Sequence, residues 1–271
     1  MSENPLGKAT QYVSQYAPKL LFPIPRSEKR NELDSRYLSF QGEDIWNAFE
    51  LSWLNANGLP QVAIGIFRIN CETVNIVESK SLKLYLNSFN QTQFNSLKQV
   101  QQTIQQDLSE AAEGNVSVEL TMPKDFVEMG VSEFDGELID EQSITIDSYQ
   151  YQPQILRASG ESREVVTETL VSHLLKSNCL ITSQPDWASI QIKYHGPKID
   201  RENLLRYIVS FRSHNEFHEQ CVERIFADLK KYCRTEKLTV YARYTRRGGL
   251  DINPWRSDFE SVQKNLRLAR Q

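Results

Sequence analysis

The chain of 271 residues is long enough for one large domain or two smaller domains with buried cores. Hydrophobic residues make up 39% and charged residues 24% of it, and a formal net charge of −4 gives no general attraction to nucleic acid or to an anionic membrane. No apolar run approaches the roughly 20 residues that a membrane-spanning helix requires, so we expect neither a direct nucleic-acid partner nor a membrane partner.

The beginning of the chain is rich in proline, serine, asparagine and charged residues, and we predict an irregular N-terminal arm over residues 1–40. It lacks the basic segment and apolar core of a secretory signal. The cysteines at positions 71, 179, 221 and 233 form no CxxC pair. We therefore expect reduced thiols and a cytoplasmic location.

Residues 41–123 are predicted to form a first module, consisting of a hairpin, helices and a strand. IWNAFELSWL and QVAIGIFRIN alternate as paired strands around the turn residues NANGLP. TVNIVE continues in an extended form, and KSLKLYLNSFN is typical of a helix. Apolar residues then recur every three or four positions, as on an amphipathic helix that Gly114 closes: Leu97, Val100, Ile104, Leu108 and Ala111. Alternation over residues 116–120 predicts the last strand.

A polar, acidic linker is predicted over residues 124–162, and a second module over residues 163–271. VVTETLVSHLLK and WASIQIKYHG alternate as strands, Asp200 is a plausible N-cap for a long helical region, and LTVYARYTR indicates a closing strand. The order of elements repeats without repeating residue identities, so we predict two related modules.

SNCLITSQPDW places Cys179 in a turn-rich connection between two predicted strands, with Asp186 seven residues further on. A thiolate is a strong nucleophile, and a carboxyl group on the same loop could move the associated proton. Spacing alone also fits, and more often describes, a buried structural cysteine beside a solvated aspartate.

VESKSLKLY lies at a predicted strand-to-helix junction. A helix N-terminus with nearby lysines suits a phosphate, and Glu78 could accept paired hydrogen bonds from an amidine-like edge. A capped, solvated helix is the commoner explanation. In RYTRRGGL, arginines beside glycines admit a phosphate close to the backbone, or form a basic turn. No GxGxxG motif or Walker loop occurs, so a Rossmann site is not supported.

His214, His218 and Cys221 would lie on one helix face if their segment were a continuous helix, and would then offer three zinc ligands. Cys221 is, however, in register with Ile225 and Leu229, where a small core residue is expected. A zinc site made from one helix is also unusual. We predict no metal.

Taken together, VESKSLKLYLNSFNQ, SNCLITSQPDW, HNEFHEQCVERIF and YTRRGGLDINPWR resemble the signature segments of the 7-cyano-7-deazaguanine reductases in their long, two-module form. The resemblance spans about residues 40–256. It implies the α+β tunnelling fold (T-fold), with two tandem ββαα-type modules whose antiparallel sheets carry helices on one face. We also expect a homodimer.

The resemblance implies an enzyme of tRNA queuosine biosynthesis that reduces the nitrile of 7-cyano-7-deazaguanine to 7-aminomethyl-7-deazaguanine with two equivalents of NADPH. Cys179 would add to the nitrile carbon to give a thioimide, and Asp186 would act as general acid and base.

The resemblance also implies the binding residues. The substrate pocket would draw on both modules and would contain Val77, Glu78, Ser79, His218 and Glu219, with the two glutamates on the guanine-like edge. NADPH would be contacted by Ser79, Lys80, Arg247 and Gly248, with Lys83 as a further candidate. Two alternatives stay open. One is a zinc-dependent, cyclohydrolase-like enzyme that uses Cys221 and His218 as ligands, and the other is a non-catalytic purine-binding module with a structural Cys179.

Overall fold

The computed structural model describes residues 12–157 and 164–271. The predictions for residues 1–11 and for nearly all of ASGESRE lie outside the described residues. Two compact units are present: the first contains the described residues up to 27, residues 43–130 and residues 246–252, and the second contains the other described residues. The chain passes between the units more than once, whereas the sequence suggested consecutive ranges. Those sequence-based module boundaries stay a prediction.

From residue 41 onward, the first unit has the element order that its hydrophobic pattern predicts. The N-terminal arm, which was expected to be irregular, contains a short strand and a single helical turn. Its strands are β1 (Pro23–Pro25), β2 (Gln41–Leu54, whose first two residues belong to the second unit), β3 (Pro60–Asn70), β4 (Asn75–Val77) and β5 (Val116–Thr121). A single turn, α1 (Ser27–Arg30), follows β1, and all of it except its first residue belongs to the second unit. The longer helices of the first unit are α2 (Ser79–Asn87) and α3 (Leu97–Ala112). The strands β5, β3 and β2 are antiparallel neighbours in that order, and β1 pairs with β4. The predicted hairpin, helices and final strand are confirmed.

The end of α3 differs in detail from the prediction. Glu113, not Gly114, takes the left-handed conformation at the C-cap, with φ of 50°. Gly114 donates its N–H to the Ser109 carbonyl at 3.1 Å. It also lies so close to Thr73 that a Cβ would approach the Thr73 methyl carbon to 2.7 Å. The glycine therefore serves a close contact rather than a left-handed turn.

The second unit repeats the order of hairpin, two helices and strand. Its strands are β6 (Glu137–Leu138), β7 (Val165–Asn178), β8 (Pro185–Pro197), β9 (Lys237–Tyr244) and β10 (Leu250–Ser257, whose first three residues belong to the first unit). Its helices are α4 (Arg201–Ser210) and α5 (His218–Cys233). The sheet order is β10-β9-β8-β7-β6, antiparallel except for β6, which is parallel to β7.

The long helical region predicted after Asp200 consists of two helices. Asp200 is the N-cap of α4, as expected, and its carboxylate accepts from the Asn203 N–H at 3.0 Å. A 3-10 turn, Phe211–Ser213, follows α4, and α5 begins only at His218. Residues 214–217 therefore form a non-helical connection between the two helices.

The strand β10 was not predicted from the sequence.

The acidic segment before β7 contributes to the core of the second unit. Phe134, Ile139 and Leu156 are buried in it, and Ile139 and Leu156 pack with apolar residues of the strands and of α4 and α5. A second apolar cluster joins α2 and α3 to the strands of the first unit. The predicted α+β class with antiparallel sheets is confirmed. In the part of the chain that the structure describes, no helix has the length and apolar character needed to cross a membrane.

Candidate active site

Cys179 is the first residue of the turn that joins β7 to β8. The strands pair up to Asn178 and Pro185, and the Cys179 N–H donates to the Gln184 carbonyl at 2.9 Å. Within the turn, the Ser183 N–H donates to the Cys179 carbonyl at 3.0 Å. Cys179 is partly exposed, whereas the other three cysteines are buried. Its thiol is therefore the one that is accessible to a substrate from solvent.

Asp186 lies near the start of β8, on the return side of the same hairpin. Only 3% of it is exposed, although the sequence also allowed a solvated aspartate. Its Oδ2 lies 3.4 Å from Nε2 of His218, the first residue of α5. The His218 ring stacks on Tyr244, with ring centroids 3.7 Å apart and planes within 2° of parallel. The structure thus brings two of the predicted residues together, a buried carboxyl group and an oriented imidazole.

Glu219 follows His218 in the first turn of α5 and is 3% exposed. The partial positive charge of a helix N-terminus stabilises a carboxylate at this position. A buried carboxylate is a strong acceptor for planar N–H donors, as the proposed base-binding role requires.

Cys221 belongs to the core, as its register predicts. It is fully buried beside the Tyr244 hydroxyl, and burial together with the charge of Glu216 raises the pKa of its thiol far above the usual range. A thiol in this setting stays protonated.

The condition for a zinc site on one helix is not met. His214 lies outside α5, and its Nε2 is 3.0 Å from the carboxylate of Glu216. Across residues 12–157 and 164–271, no group of three or more His, Cys, Asp and Glu residues is arranged to hold a metal ion.

In the first unit, Glu78 is the N-cap of α2. Its two carboxylate oxygens accept from the backbone N–H groups of Lys80 and Ser81, each at 2.8 Å. Burial raises the pKa of Glu78, and these hydrogen bonds offset part of the increase. The predicted capped helix is thus present. Since each carboxylate oxygen has a second lone pair, the cap leaves acceptor capacity for a ligand.

Three of the predicted cofactor residues lie close together in the first unit. The Lys83 ammonium donates to the Gly248 carbonyl and lies 3.3 Å from a Glu50 carboxylate oxygen. Gly248 belongs to a turn over residues 247–250, the cationic turn, which is closed by hydrogen bonds between the backbones of Arg247 and Leu250. Gly248 has a φ of 57°, and a Cβ on it would lie 2.9 Å from Lys83 Nζ. The positive φ and this close contact both favour glycine at position 248 of the cationic turn.

Sequence reasoning missed Tyr244 and Glu50. Tyr244 is the last inward position of an alternating strand, and this alternation was the available signal. Nothing in the sequence relates Glu50 to Lys83, because their contact depends on the packing of α2 beside β2.

Two family models match the chain: "nitrile reductase, 7-cyano-7-deazaguanine-reductase N-term" over residues 12–120, and "QueF-like protein" over residues 185–263. The chain belongs to the 7-cyano-7-deazaguanine reductase family. The recognition is thereby confirmed, as is the tandem T-fold that it implied. As a member of this family, the protein is a nitrile reductase of queuosine biosynthesis. Asp186, His218 and Glu219 lie within the second match, whereas Cys179 lies before it.

A solved structure described as the archaeosine synthase QueF-Like in the apo form is also similar to part of this chain. The two share 15% sequence identity with a TM-score of 0.32, over 38% of this chain and 100% of that one.

Proposed function

We propose that this nitrile reductase converts 7-cyano-7-deazaguanine to 7-aminomethyl-7-deazaguanine with NADPH, through a thioimide at Cys179. The observation that carries the proposal is the β7–β8 hairpin. It places an accessible thiol at its turn and a buried carboxyl group, next to His218, on its returning strand.

Addition to the nitrile needs a nucleophile and a proton donor. The sulfur of Cys179 forms a bond to the nitrile carbon as one carbon–nitrogen π-bond breaks, and the thiol proton ends on the nitrile nitrogen. Asp186 is proposed to carry that proton, taking it from sulfur and passing it to nitrogen. This role requires a partly desolvated carboxyl group, and Asp186 is only 3% exposed. The neighbouring imidazole of His218 orients the carboxyl group.

The cationic turn of the first unit fits a phosphate-bearing cofactor. Lys80 and Lys83 supply point charges, Arg247 supplies a forked donor, and Gly248 lets a ligand approach the backbone. NADPH would supply two hydride equivalents, which with two protons convert the nitrile to a primary amine. We assign Ser79, Lys80, Lys83, Arg247 and Gly248 to cofactor binding.

The guanine-like edge of the substrate presents a ring N–H and an exocyclic amine. Glu219 in the second unit is a buried carboxylate that can accept from both, with His218 beside it in sequence. We assign Glu78 in the first unit the same role on the same grounds, with Val77 and Ser79 on either side of it.

The expected homodimer and the cytoplasmic location also stay proposals. The cytoplasm suits the mechanism, since Cys179 must be a reduced thiol. Light scattering during gel filtration tests the dimer.

The direct test of the reaction is to mix the protein with 7-cyano-7-deazaguanine and NADPH and to follow nicotinamide absorbance. Two equivalents of NADPH should be oxidised for each amine formed. Without NADPH, intact-protein mass spectrometry should show a mass increase equal to the whole substrate, on the peptide that contains Cys179. No NADPH oxidation and no adduct would refute the proposal.

A further inference from the structure

The chain on either side of the Cys179 turn is held by residues 214–216, the non-helical segment between α4 and α5. The Asn178 N–H donates to the His214 carbonyl at 2.8 Å, and the Asn178 carbonyl accepts from the Glu216 N–H at 3.0 Å. These bonds form a parallel bridge between Asn178 and Asn215. The residue just before Cys179 is thus fixed by its backbone.

The side chain of Asn215 connects both sides of the same turn. Its Oδ1 accepts from Asn178 Nδ2 at 3.0 Å, and its Nδ2 donates to the Ser183 hydroxyl at 3.1 Å. Ser183 in turn donates its backbone N–H to the Cys179 carbonyl. One amide side chain therefore ties the residue before Cys179 to the residue that closes the turn.

The bridging segment is itself anchored to α5 by a buried ion pair. Glu216 is 1% exposed and accepts from Arg224 Nε at 2.9 Å and from Arg224 Nη2 at 2.7 Å. Burial opposes ionisation of Glu216, but hydrogen bonds from His214 and Arg224 outweigh it and lower the pKa of this carboxyl. Since α5 also carries His218 and Glu219, the anchor connects the cysteine turn to the helix that bears the proposed base-binding groups.

The turn needs such support because Ser183 has a φ of 55°, a left-handed conformation that is unfavourable for residues other than glycine. A residue of this kind persists only where its surroundings hold it. With the strain located four residues after the nucleophile, loss of the support would let the turn relax and the thiol move.

We propose that Asn215 and the Glu216–Arg224 pair are positioning residues for nitrile addition, which hold Cys179 in place relative to α5. They act through Asn178 and Ser183. The inference rests on the proposed function, since it assigns no new reaction and deepens the role of the Cys179 turn. A reacting atom displaced by about 1 Å can lose about a hundredfold in rate.

The first unit offers a matched control. There the last residue of β2, Leu54, forms the same kind of parallel bridge with Gln93. Its N–H donates to the Thr92 carbonyl at 3.0 Å, and its carbonyl accepts from the Phe94 N–H at 2.9 Å. The side chain of Gln93 is exposed. Gln93→Ala therefore changes the corresponding bridge position without touching the Cys179 turn.

The experiment compares Asn215→Ala and Gln93→Ala in the full chain. Without NADPH, the rate of adduct formation is measured by rapid quenching and mass spectrometry, and kcat and KM are then measured with NADPH. Asn215→Ala should slow adduct formation and lower kcat by about tenfold to a hundredfold, with KM within about twofold of wild type. Gln93→Ala should change none of these quantities.

A Ser183→Ala variant removes only the far link and leaves residues 214–216 intact, so it carries the test if Asn215→Ala does not fold. It should lose a smaller part of the rate. Unchanged adduct formation in the folded variants, or a loss found entirely in KM, would overturn the positioning role alone. If the wild-type protein itself formed no adduct, the proposed function would fail, and this inference with it.

Discussion

The two hairpins, β2–β3 and β7–β8, are built alike. Each has a register irregularity in its first strand, between Ala48 and Leu51 in one and between Ser172 and Leu175 in the other. Each first strand also ends in a residue that is bridged to the chain between two helices. The backbone plan of the hairpin is therefore common to both units.

The residues placed on this plan differ. After the bridged Leu54 comes Asn55, whose side-chain oxygen accepts from the N–H groups of Asn57 and Leu59, so that this turn is held from within. After the bridged Asn178 comes Cys179, in a turn held from outside by Asn215. In the β2–β3 turn, the side chain of the first residue is used to hold the turn. In the β7–β8 turn, the first residue has no such task, and its side chain is available for chemistry.

The residue that follows the bridge differs in the same sense. Phe94 in the first unit is buried and stacks on Phe89, with ring centroids 5.2 Å apart. The corresponding Glu216 forms a buried ion pair. Apolar packing suffices to place a structural turn, and directional hydrogen bonds replace it where one atom must be positioned.

The largest expected effect comes from replacing the first residue of the β7–β8 turn by alanine, with the same replacement in the β2–β3 turn as the control. Cys179→Ala should abolish the adduct and lower turnover by about a thousandfold or more, because the nucleophile is lost. Asn55→Ala, at the corresponding position, should leave turnover unchanged. NADPH oxidation and intact-protein mass spectrometry measure both. A near-normal rate in Cys179→Ala would contradict the covalent mechanism.

On the returning strand, Asp186→Asn should slow adduct formation and reduction by about a hundredfold to ten-thousandfold, since the amide cannot relay the proton. Substrate should still bind to this variant, which equilibrium titration can verify. If adduct formation keeps its wild-type rate, the proton comes from elsewhere.

Glu216 and Phe94 should differ in how their stability contributions depend on pH. Glu216→Gln should lower the free energy of unfolding by about 3 kcal/mol at neutral pH, because Arg224 loses a buried partner. The pKa of Glu216 is lowered in the folded protein, so its contribution is present above the unfolded value and is lost as the pH falls through the folded value. Phe94→Ala should lower the free energy of unfolding by about 3–5 kcal/mol. This loss should not depend on pH, because the phenylalanine side chain does not titrate.

Denaturant unfolding from pH 7 down to about pH 3 compares the two variants, since an unperturbed glutamate titrates near pH 4.3. The difference between Glu216→Gln and wild type should shrink at the acid end, and that for Phe94→Ala should not. A constant difference for Glu216→Gln would mean that the ion pair does not carry its effect.

Glu219→Ala should weaken binding of the nucleobase by about 1–3 kcal/mol, because base donors are left unpaired in a desolvated site. Binding of NADPH should change much less. Separate titrations of the two ligands decide the matter, and a selective loss of NADPH affinity would reverse the assignment.

Of all these changes, removal of metal ions should have the smallest effect on turnover. After treatment with a strong chelator, turnover should be unchanged, since no step of the proposed mechanism uses a metal. Stoichiometric zinc whose removal abolishes turnover would instead favour the cyclohydrolase-like alternative.

Local pattern predicted most of the fold. The alternation that defines both hairpins and the three- and four-residue spacing of α3 are confirmed. The strand β10 was missed because Pro254 and the preceding glycines indicate a turn or an edge. The break between α4 and α5 was missed because the segment between them pairs with Asn178, which is distant in sequence.

The candidate site depended on the resemblance more than on spacing. Asp186 and His218 are far apart in the sequence, and only the pairing of strands and helices brings them within 3.4 Å. The same holds for the Tyr244 ring that orients His218. Long-range contacts of this kind leave no periodic signal.

The path of the chain constrains how the first unit can fold. Residues 246–252, which include the Gly248 turn, belong to that unit although the whole hairpin and both helices of the second unit precede them. During synthesis, domains generally fold as they emerge, starting from the N-terminus. Here the ribosome must finish most of the second unit before the first has all of its residues. A nascent chain or fragment that stops near residue 130 would therefore lack the cationic turn.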